Sequence, residues 1–304
     1  MKVLVTGSKG TLGRPLVKAL EDDGDDVWSC DIGLDPSPRY MRCDVAEYRQ
    51  IEKVVSKVRP RFVYHLAAEF GRRNGEEFYE TLWRTNAVGT KNIIRLQEKN
   101  RFRMVFASSS EVYGEYSGIM RESVPERVSI RQLNDYAISK WVNELQVQNS
   151  ADRESTETVR VRIFNTYGPG EYYSPYRSVA CIFVYHALHG LPYVVYQDHK
   201  RSSTYIDDTV AALKATSQHF KAGEVYNICG DECHSIKRLS DLVLQATGRD
   251  ERLVRYEKRE SHNTIAKHGD NSKARKDLHW SPQMRLKDGV IRTVEWQRRV
   301  YSGG

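Results

Sequence analysis

Three glycines, spaced three residues apart, directly follow a short apolar segment near the start of the chain. The apolar segment predicts a strand, and a helical pattern follows the glycines. In this context the first glycine permits a tight turn, the second lets the backbone approach a pyrophosphate, and the third lets helix and strand pack closely. The helix N-terminus offers free N–H groups to phosphate oxygens. We therefore predict a dinucleotide-binding loop formed by Gly7, Gly10, Thr11, Leu12 and Gly13.

Short apolar segments alternate with amphipathic ones through the first half of the chain. Strands are predicted over Lys2–Thr6, Val27–Asp31, Tyr40–Arg42, Arg61–His65, Phe102–Ala107 and Thr158–Phe164. Helices are predicted over Thr11–Asp22, Glu47–Val58, Glu76–Lys99 and Arg131–Asn149. Such alternation is typical of a parallel sheet with right-handed crossovers. The sequence therefore predicts an α/β fold with a doubly wound parallel sheet.

The sequence changes character at Gly168, after which short elements and aromatic residues dominate. Its predicted elements are the aromatic loop Glu171–Tyr176, the helix Ser178–His189, the strand Tyr193–Tyr196 and a helix that begins at Asp207. No repeat or low-complexity linker separates the two halves. We predict a dinucleotide-binding domain over residues 1–167 and a smaller α/β substrate lobe over residues 168–304, intertwined with the first rather than tethered to it.

Two aspartates follow predicted strands at positions that suit an adenosine group. Asp31 ends the second strand, where a carboxylate accepts from the ribose hydroxyls and repels a 2′-phosphate. Asp44 and Val45 follow the short third strand, from which Asp44 could reach the adenine amino group. These positions favour NAD over NADP.

A Tyr-x-x-x-Lys pattern lies on the last predicted helix of the first half. Tyr136 and Lys140 are four positions apart and share one helix face. A lysine ammonium near the phenol stabilises the phenolate and would lower the pKa of the tyrosine. Tyr136 would then act as a general base toward a sugar or alcohol hydroxyl. Ser109, Ser110 and Glu111 directly follow a buried strand, at the sheet edge where such ligands bind.

Composition excludes several other classes of protein. The chain has 304 residues with a net charge of +7, and its basic residues are scattered rather than gathered in a nucleic-acid-binding tract. We expect no membrane span and no secretory leader. The five widely spaced cysteines indicate a reducing, cytoplasmic compartment. The nine histidines form no metal-binding pattern, so no metal site is expected.

These motifs together resemble one family, the extended short-chain dehydrogenase/reductases, and within it the NAD-dependent nucleotide-sugar epimerase/dehydratase group. The resemblance runs from end to end. It is carried by the glycine loop, Asp31, Asp44-Val45, His65–Ala68, Thr85-Asn86, Gly89-Thr90, Ser108–Gly114, Tyr136–Lys140, Arg162–Pro169, Arg201 and Tyr205–Asp208. It implies a Rossmann-type fold, tightly held NAD and a nucleoside-diphosphate sugar substrate.

The resemblance also implies roles for individual residues. Tyr136 would take the proton from the C4 hydroxyl of the sugar while hydride passes to NAD, with Ser109 as its partner and Lys140 on the nicotinamide ribose. Residues that would contact the cofactor further include Leu66, Ala67, Ala68 and Asn86. Residues that would contact the substrate are Glu69, Asn165, Tyr172, Tyr173, Arg177, Arg201 and Lys267.

The reaction that follows C4 oxidation stays open at this point. Thymidine-linked 4,6-dehydratases carry Asp-Glu after the catalytic hydroxyl residue, whereas this chain has Ser110-Glu111. Glucuronate decarboxylases carry Ser-Glu there, together with an arginine three residues before a late aspartate, where this chain has Lys267. Lysine lacks the bidentate carboxylate grip of arginine. We therefore favour 4-epimerisation and keep decarboxylation and 4,6-dehydration as alternatives.

A different class of function, an NAD-binding regulatory protein without catalysis, is the main competing hypothesis. Such proteins often lose the catalytic tyrosine or the glycine loop, and both are intact here. The family resemblance further implies a homodimer, in which two long helices of each subunit meet. The predicted helices Glu76–Lys99 and Arg131–Asn149 match them.

Overall fold

A computed structural model describes residues 1–301. Its strands are β1 (Lys2–Thr6), β2 (Asp26–Asp31), β3 (Tyr40–Arg42), β4 (Phe62–His65), β5 (Arg103–Ser109), β6 (Ile119–Met120), β7 (Thr158–Ile163), β8 (Thr166–Tyr167), β9 (Tyr193–Tyr196), β10 (Lys200–Ser202), β11 (Thr204–Tyr205), β12 (Val225–Ile228), β13 (Cys233–Ser235), β14 (Val254–Glu257) and β15 (Ala266–Gly269).

Its α-helices flank these strands. They are α1 (Gly13–Asp22), α2 (Tyr48–Val58), α3 (Arg72–Glu77), α4 (Tyr79–Trp83), α5 (Thr90–Asn100), α6 (Val124–Arg127), α7 (Asp135–Glu154), α8 (Val179–His189), α9 (Ile206–Gln218), α10 (Ile236–Thr247), α11 (Ser272–Leu278) and α12 (Leu286–Tyr301). None of the described helices is long and apolar enough to cross a membrane.

Seven strands form one parallel sheet in the order β12-β7-β5-β4-β1-β2-β3. Successive side chains of a strand face opposite sides of the sheet. Val3 and Val5 of β1 accordingly pack with Leu16 of α1 on one face. Leu4 packs with Ile51 of α2 on the other. Helices cover both faces, which confirms the predicted doubly wound, Rossmann-type sheet.

The strand order reverses between β1 and β4, because β2 and β3 extend to one side of β1 while the later strands extend to the other. Ligands of doubly wound sheets bind in the crevice beyond the carboxyl ends of the strands at such a point. The glycine loop follows β1 and the Leu66–Ala68 segment follows β4, so both lie at this crevice.

The two halves of the chain exchange strands. β12 comes from the second half and pairs with β7 at the edge of the large sheet. β6 comes from the first half and pairs with β15 in a four-stranded sheet of the smaller lobe, in the order β13-β10-β15-β6. The division near residue 167 therefore describes the path of the chain, while each lobe contains residues from both halves.

The structure corrects two predicted helices. The single helix expected over Glu76–Lys99 is divided into α3, α4 and α5, with a π-helical segment at Arg84–Gly89. The wider turn places Asn86 so that its side chain bonds the backbone of Glu69. The helix expected from Arg131 begins instead at Asp135, because the Asn134 side chain accepts from Ala137 N at 2.9 Å and caps it.

Candidate active site

A cavity of about 1160 Å³ lies between the carboxyl edge of the large sheet and the smaller lobe. The glycine loop, the ends of β4, β5 and β7, and helix α7 form its wall on the sheet side. The opposite wall is formed by the segments 171–186, 192–203 and 255–267. At this volume the cleft exceeds the roughly 300–1,000 Å³ that is usual for a single small-molecule site.

The glycine loop forms one end of this cavity. Gly7 has φ of 71°, and a Cβ there would lie 2.6 Å from the backbone nitrogen of Ala67. A Cβ on Gly13 would lie 2.1 Å from the carbonyl oxygen of Gly7. Both positions therefore exclude any side chain, as expected for a turn packed against the neighbouring strand. Gly10, Thr11 and Leu12 line the cavity between them.

Asp31 and Asp44 line the same end of the cavity, as predicted for an adenosine site. Asp31 accepts from the backbone nitrogens of Lys9 at 2.9 Å and Ile32 at 2.7 Å. Asp44 accepts from the backbone nitrogen of Ala46 at 2.9 Å. The carboxylates are thus held in place by backbone donors. Val45, Leu66, Ala67 and Ala68 complete this part of the lining.

Tyr136, Lys140 and Ser109 meet at the middle of the cavity. Ser109 is close enough to Tyr136 to lower the pKa of its phenol. The Nζ atom of Lys140 donates to the carbonyl oxygen of Ala107 at 2.8 Å and lies 6.0 Å from the centre of the Tyr136 ring. Burial lowers the pKa of Lys140 to about 8, although Glu144 opposes this shift.

The prediction that Lys140 lowers the pKa of Tyr136 is wrong for the protein without bound cofactor. Burial raises the pKa of Tyr136 to about 12, and Ser109 only partly offsets this. Lys140 does not lower it, because its ammonium lies beside the ring and is bonded to Ala107. A further positive charge near the phenol would lower this pKa and so favour Tyr136 as a base.

Glu111 and Lys267 form an ion pair on the smaller-lobe side of Tyr136. The Lys267 side chain is only 3% exposed. Burial lowers the pKa of Lys267 to about 8, and Glu111 opposes that shift. Burial alone would raise the pKa of Glu111, but the charges of Lys267, Arg201 and Arg72 hold it below its usual range. Glu111 is therefore ionised at neutral pH. Ser110 is buried beside it and also lines the cavity.

Most of the remaining predicted substrate residues line the cavity. Glu69, Tyr173 and Arg201 line the cavity. Arg201 donates to the carbonyl oxygens of Lys200 at 2.7 Å and Ile265 at 3.0 Å, which fixes its guanidinium against β15. Asn165 also lines it, and its buried Nδ2 atom has no acceptor among the described residues.

Two predicted site residues do not reach the cavity wall. Tyr172 is 54% exposed and its ring packs edge-on against Trp296, with ring centres 5.2 Å apart. The preceding backbone turns this side chain to the outer surface, while Tyr173 turns inward. Asn86 is fully buried beneath the wall, where it donates to Ser139 Oγ at 3.0 Å. Asn86 thus supports the helix that carries Tyr136.

Two groups of charged residues at or behind the cavity were not predicted from the sequence. Arg72 lines the cavity and forms an ion pair with Glu260 of the segment between β14 and β15. Nothing in the sequence links these two positions. The other is Glu144, one turn after Lys140, which is fully buried and accepts from Arg162 Nη2 at 2.8 Å and Ser108 Oγ at 2.5 Å. The signal in the sequence was its position four residues after Lys140, which places both side chains on one face of the helix.

Comparison with known proteins decides the family. Residues 3–229 match the NAD-dependent epimerase/dehydratase family. The chain belongs to this family. The expected resemblance, the NAD cofactor and enzymatic function are thereby confirmed.

Relatives of this NAD-dependent epimerase/dehydratase family member include a UDP-N-acetyl-alpha-D-glucosaminuronate decarboxylase of Bacillus cytotoxicus, 28% identical over 98% of both chains. Among solved structures, MoeE5 in complex with UDP-glucuronic acid and NAD has a TM-score of 0.88 and 26% identity, covering 99% of this chain and 100% of that one. A UDP-glucose 4-epimerase of Thermotoga maritima has a TM-score of 0.89 and 25% identity, covering 99% of both.

The residues of this epimerase/dehydratase fit NAD. The buried Nε atom of Arg177, near the glycine loop, has no acceptor among the described residues, and a pyrophosphate supplies acceptors. The loop around Gly10 would hold the pyrophosphate, Asp31 the adenosine ribose and Lys140 the nicotinamide ribose. When bound, NAD accepts the hydride and adds positive charge beside Tyr136. No cluster of metal-ligating side chains occurs within residues 1–301.

Proposed function

We propose that this protein is a nucleotide-sugar 4-epimerase. It would oxidise C4 of a nucleoside-diphosphate hexose transiently and return the hydride to the opposite face. The observation that carries this proposal is the state of Glu111. Its ion pair with Lys267 keeps it ionised, which disfavours it as the acid that a dehydration needs for its leaving hydroxyl.

Tyr136 is the general base of the proposed reaction. Tyr136 lines the cavity beside Ser109, which lowers the pKa of its phenol. Ser109 shares the proton of the C4 hydroxyl and holds the oxygen in place as it becomes a carbonyl. Lys140 is anchored on Ala107, which fixes its remaining donors for the ribose. On return of the hydride, Tyr136 gives the proton back to the C4 oxygen.

The substrate would extend from Tyr136 into the smaller lobe. Arg201 and Asn165 would contact the diphosphate, and the unpartnered Nδ2 of Asn165 supports this. Tyr173 and Glu69 line the cavity and would contact other parts of the substrate. The net charge of +7 suits a substrate with two phosphates.

Epimerisation makes fewer chemical demands than the alternatives. A 4,6-dehydration needs an acid for the C6 hydroxyl, and Ser110 stands where an aspartate would provide it. For 4-epimerisation, the 4-keto intermediate must only rotate so that hydride returns to its opposite face. That rotation needs space, and Tyr136 serves both steps. The cavity of about 1160 Å³ provides such space.

Decarboxylation of a hexuronate is the second candidate. It is favoured by the three cations near Glu111, which are Lys267, Arg201 and Arg72. Such a cluster can hold a sugar carboxylate. The similarity to a glucosaminuronate decarboxylase also supports it.

The experiment is incubation of the purified enzyme with UDP-, dTDP-, GDP- and CDP-hexoses and UDP-glucuronate, followed by mass spectrometry. Epimerisation leaves the mass unchanged and alters the retention time. Loss of carbon dioxide indicates decarboxylation, and loss of water indicates dehydration. Either loss as the main product would reject 4-epimerisation. Absence of any NADH formation with every substrate would reject C4 oxidation itself.

We also propose a cytoplasmic homodimer. The exposed apolar residues Val88, in the π-helical segment, and Leu145, in α7, support an interface on these helices. The cysteines, all free in the structure, support a reducing compartment. Sedimentation at micromolar concentration would reject the dimer if only monomer is found, and cell fractionation tests the location.

A further inference from the structure

The ammonium group of Lys140 is held at the end of β5. Its Nζ atom donates to the carbonyl oxygen of Ala107 at 2.8 Å and lies 5.1 Å from the centre of the Phe106 ring. Lys140 is only 4% exposed. Burial favours the neutral amine over the ammonium, and the neutral amine has two hydrogens to donate where the ammonium has three. A nearby negative charge is therefore needed to keep all three donors.

Glu144 lies one turn after Lys140 on the same face of α7 and is fully buried. Its Oε1 atom accepts from Ser108 Oγ at 2.5 Å and from Arg162 Nε at 2.9 Å. Its Oε2 atom accepts from Arg162 Nη2 at 2.8 Å and from Arg160 Nη1 at 3.4 Å. Burial alone would raise the pKa of Glu144, but Arg162 holds it below its usual range. Glu144 is therefore ionised at neutral pH.

The partners of Glu144 come from the two strands beneath α7. Ser108 of β5 pairs in register with Arg162 of β7, so the two side chains emerge side by side toward Glu144. Ser108 directly follows Ala107, which anchors Lys140, and directly precedes Ser109. Glu144 thus joins α7, β5 and β7 at the residue that lies between two parts of the candidate active site.

Glu144 is the negative charge that acts on Lys140 among the described residues. Tyr136 lies on the same helix and is neutral at pH 7, because burial raises its pKa to about 12. His65 on β4 is also neutral at pH 7, because burial lowers its pKa to about 3. The remaining charged groups on the neighbouring elements have partners of their own: Arg160 and Arg162 bond Glu144, Glu111 bonds Lys267, and Arg72 bonds Glu260.

Stability alone does not account for an ion pair buried as deeply as Glu144 and Arg162. Their side chains are 0% and 3% exposed. Apolar residues of similar volume usually stabilise a fold as much as a buried ion pair or more, because both charges lose their hydration. The position of this pair, one helical turn from Lys140, points instead to a role in the active site.

We propose that Glu144 is a positioning residue that keeps the Lys140 ammonium charged and fixes the end of β5 to which it is bonded. Glu144 does not line the cavity, so it acts through Lys140 and Ser108 rather than on a ligand. With one hydrogen on Ala107, the charged Lys140 keeps two for the nicotinamide ribose, whereas a neutral amine would keep one. The consequence for turnover rests on the proposed C4 oxidation, but the charge state of Lys140 does not.

The test is the titration of Lys140 in the NAD-bound enzyme, followed by NMR of ¹³Cε-labelled lysines and assigned with Lys140→Arg. In Glu144→Gln the pKa of Lys140 should fall by about 1 or more, the usual effect of losing a nearby opposite charge. Glu144→Asp keeps the charge and should keep the pKa near that of the wild type. Asp208→Asn is the matched control, because Asp208 is a buried carboxylate on α9, at the other face of the large sheet. It should leave the pKa of Lys140 unchanged.

The pH dependence of NADH formation gives a second readout. Lys140 is charged below its pKa, so the rate should fall as the pH rises through that value. In Glu144→Gln this fall should occur at lower pH than in the wild type, and in Glu144→Asp it should not move. A shifted Lys140 titration in a protein that forms no NADH with any nucleotide sugar would reject the proposed function and support the role of Glu144.

Two outcomes would overturn the inference. One is an unchanged pKa of Lys140 in Glu144→Gln. The other is an equal fall in Glu144→Asp, which would mean that the shape of the network matters and its charge does not. If Glu144→Gln does not fold, Glu144→Met combined with Arg162→Met decides instead, because apolar replacement of a whole buried ion pair is usually tolerated. The pKa of Lys140 should fall there too, and an unchanged value would reject the proposal.

Discussion

Lys267 and Glu111 pair across the cavity although they are 156 positions apart in the chain. Lys267 lies on β15 of the smaller lobe, and Glu111 follows β5 of the large sheet. Their contact joins the two lobes beside the proposed catalytic base. It also holds the Glu111 carboxylate in its ionised form, which disfavours this residue as the acid of a dehydration.

Changing Tyr136→Phe keeps the ring and removes only the phenol. We expect turnover to fall about 10²–10⁴-fold, the usual contribution of a positioned acid–base group. Substrate affinity should persist, because Arg201 and Asn165 are untouched. Tyr79→Phe is the control, since Tyr79 is exposed at 55%. Equal turnover in both variants would remove Tyr136 from the mechanism.

Glu111→Gln separates epimerisation from the alternatives. A 4-epimerase needs no carboxylate at this position, so turnover should fall only modestly. The control is Glu115→Gln, whose side chain is exposed. Turnover and enzyme-bound NADH absorbance are measured together. Normal NADH formation with stalled product formation would contradict epimerisation and leave C4 oxidation intact.

Asp31→Ala should relax the preference for NAD over NADP. The carboxylate is held by the backbone of Lys9 and Ile32, where it would repel a 2′-phosphate. Dissociation constants for both cofactors give the ratio directly. Asp35→Ala is the control, because Asp35 pairs with Lys9 nearby without lining the cavity. A wild-type protein that binds NADP more tightly would refute the role of Asp31.

His65 should make the protein sensitive to mild acid. Its ring is buried between Thr6 Oγ1 at 2.8 Å and Thr90 Oγ1 at 3.1 Å, and burial lowers its pKa from 6.5 to about 3. Between these values the unfolded state binds the proton and the folded state does not. The free energy of unfolding therefore rises with pH in this window and falls on acidification, by about 1.4 kcal/mol per pH unit for one group.

Urea unfolding at pH 7 and pH 5 measures this dependence. His65→Gln should lose less stability on acidification than the wild type, whatever its stability at pH 7. His268→Gln, at an exposed position, should behave as the wild type. An unchanged pH dependence in His65→Gln would show that His65 does not titrate in this way.

Glu260→Gln should loosen the cavity wall. Glu260 pairs with Arg72 and accepts from Asn263 Nδ2 at 2.9 Å, so it ties the segment 258–265 to the opposite lobe. Hydrogen–deuterium exchange in peptides that cover this segment should become faster. Glu257→Gln, whose partner Arg255 is mostly exposed, should leave it unchanged. Equal exchange in both variants would mean that the ion pair does not hold the segment.

Most of the site residues on the large-sheet side of the cavity could be predicted, because the sequence patterns that reveal them are local. The glycine spacing, the strand that ends at Asp31 and the Tyr136–Lys140 spacing each depend on neighbouring residues. The sheet follows from regular alternation. The helix start at Asp135 was missed because its cap, Asn134, lies inside a polar stretch.

The contacts that complete the cavity could not be predicted in the same way. Arg72–Glu260 and Glu111–Lys267 join residues far apart in sequence, and no local pattern links them. Tyr172 and Tyr173 have the same chemistry, and only the backbone decides which one faces the cavity. The raised pKa of Tyr136 follows from burial, which depends on the whole fold.

The exchange of β6 and β12 has a consequence for the engineering of this chain. A cut near residue 167 would leave β7 with an open hydrogen-bonding edge and would deprive β15 of β6, one of its two neighbours. Neither fragment could complete its own sheet. A transplanted substrate lobe would therefore have to carry β6 with it and leave β12 behind, so a simple exchange of C-terminal halves should not give a folded chimera.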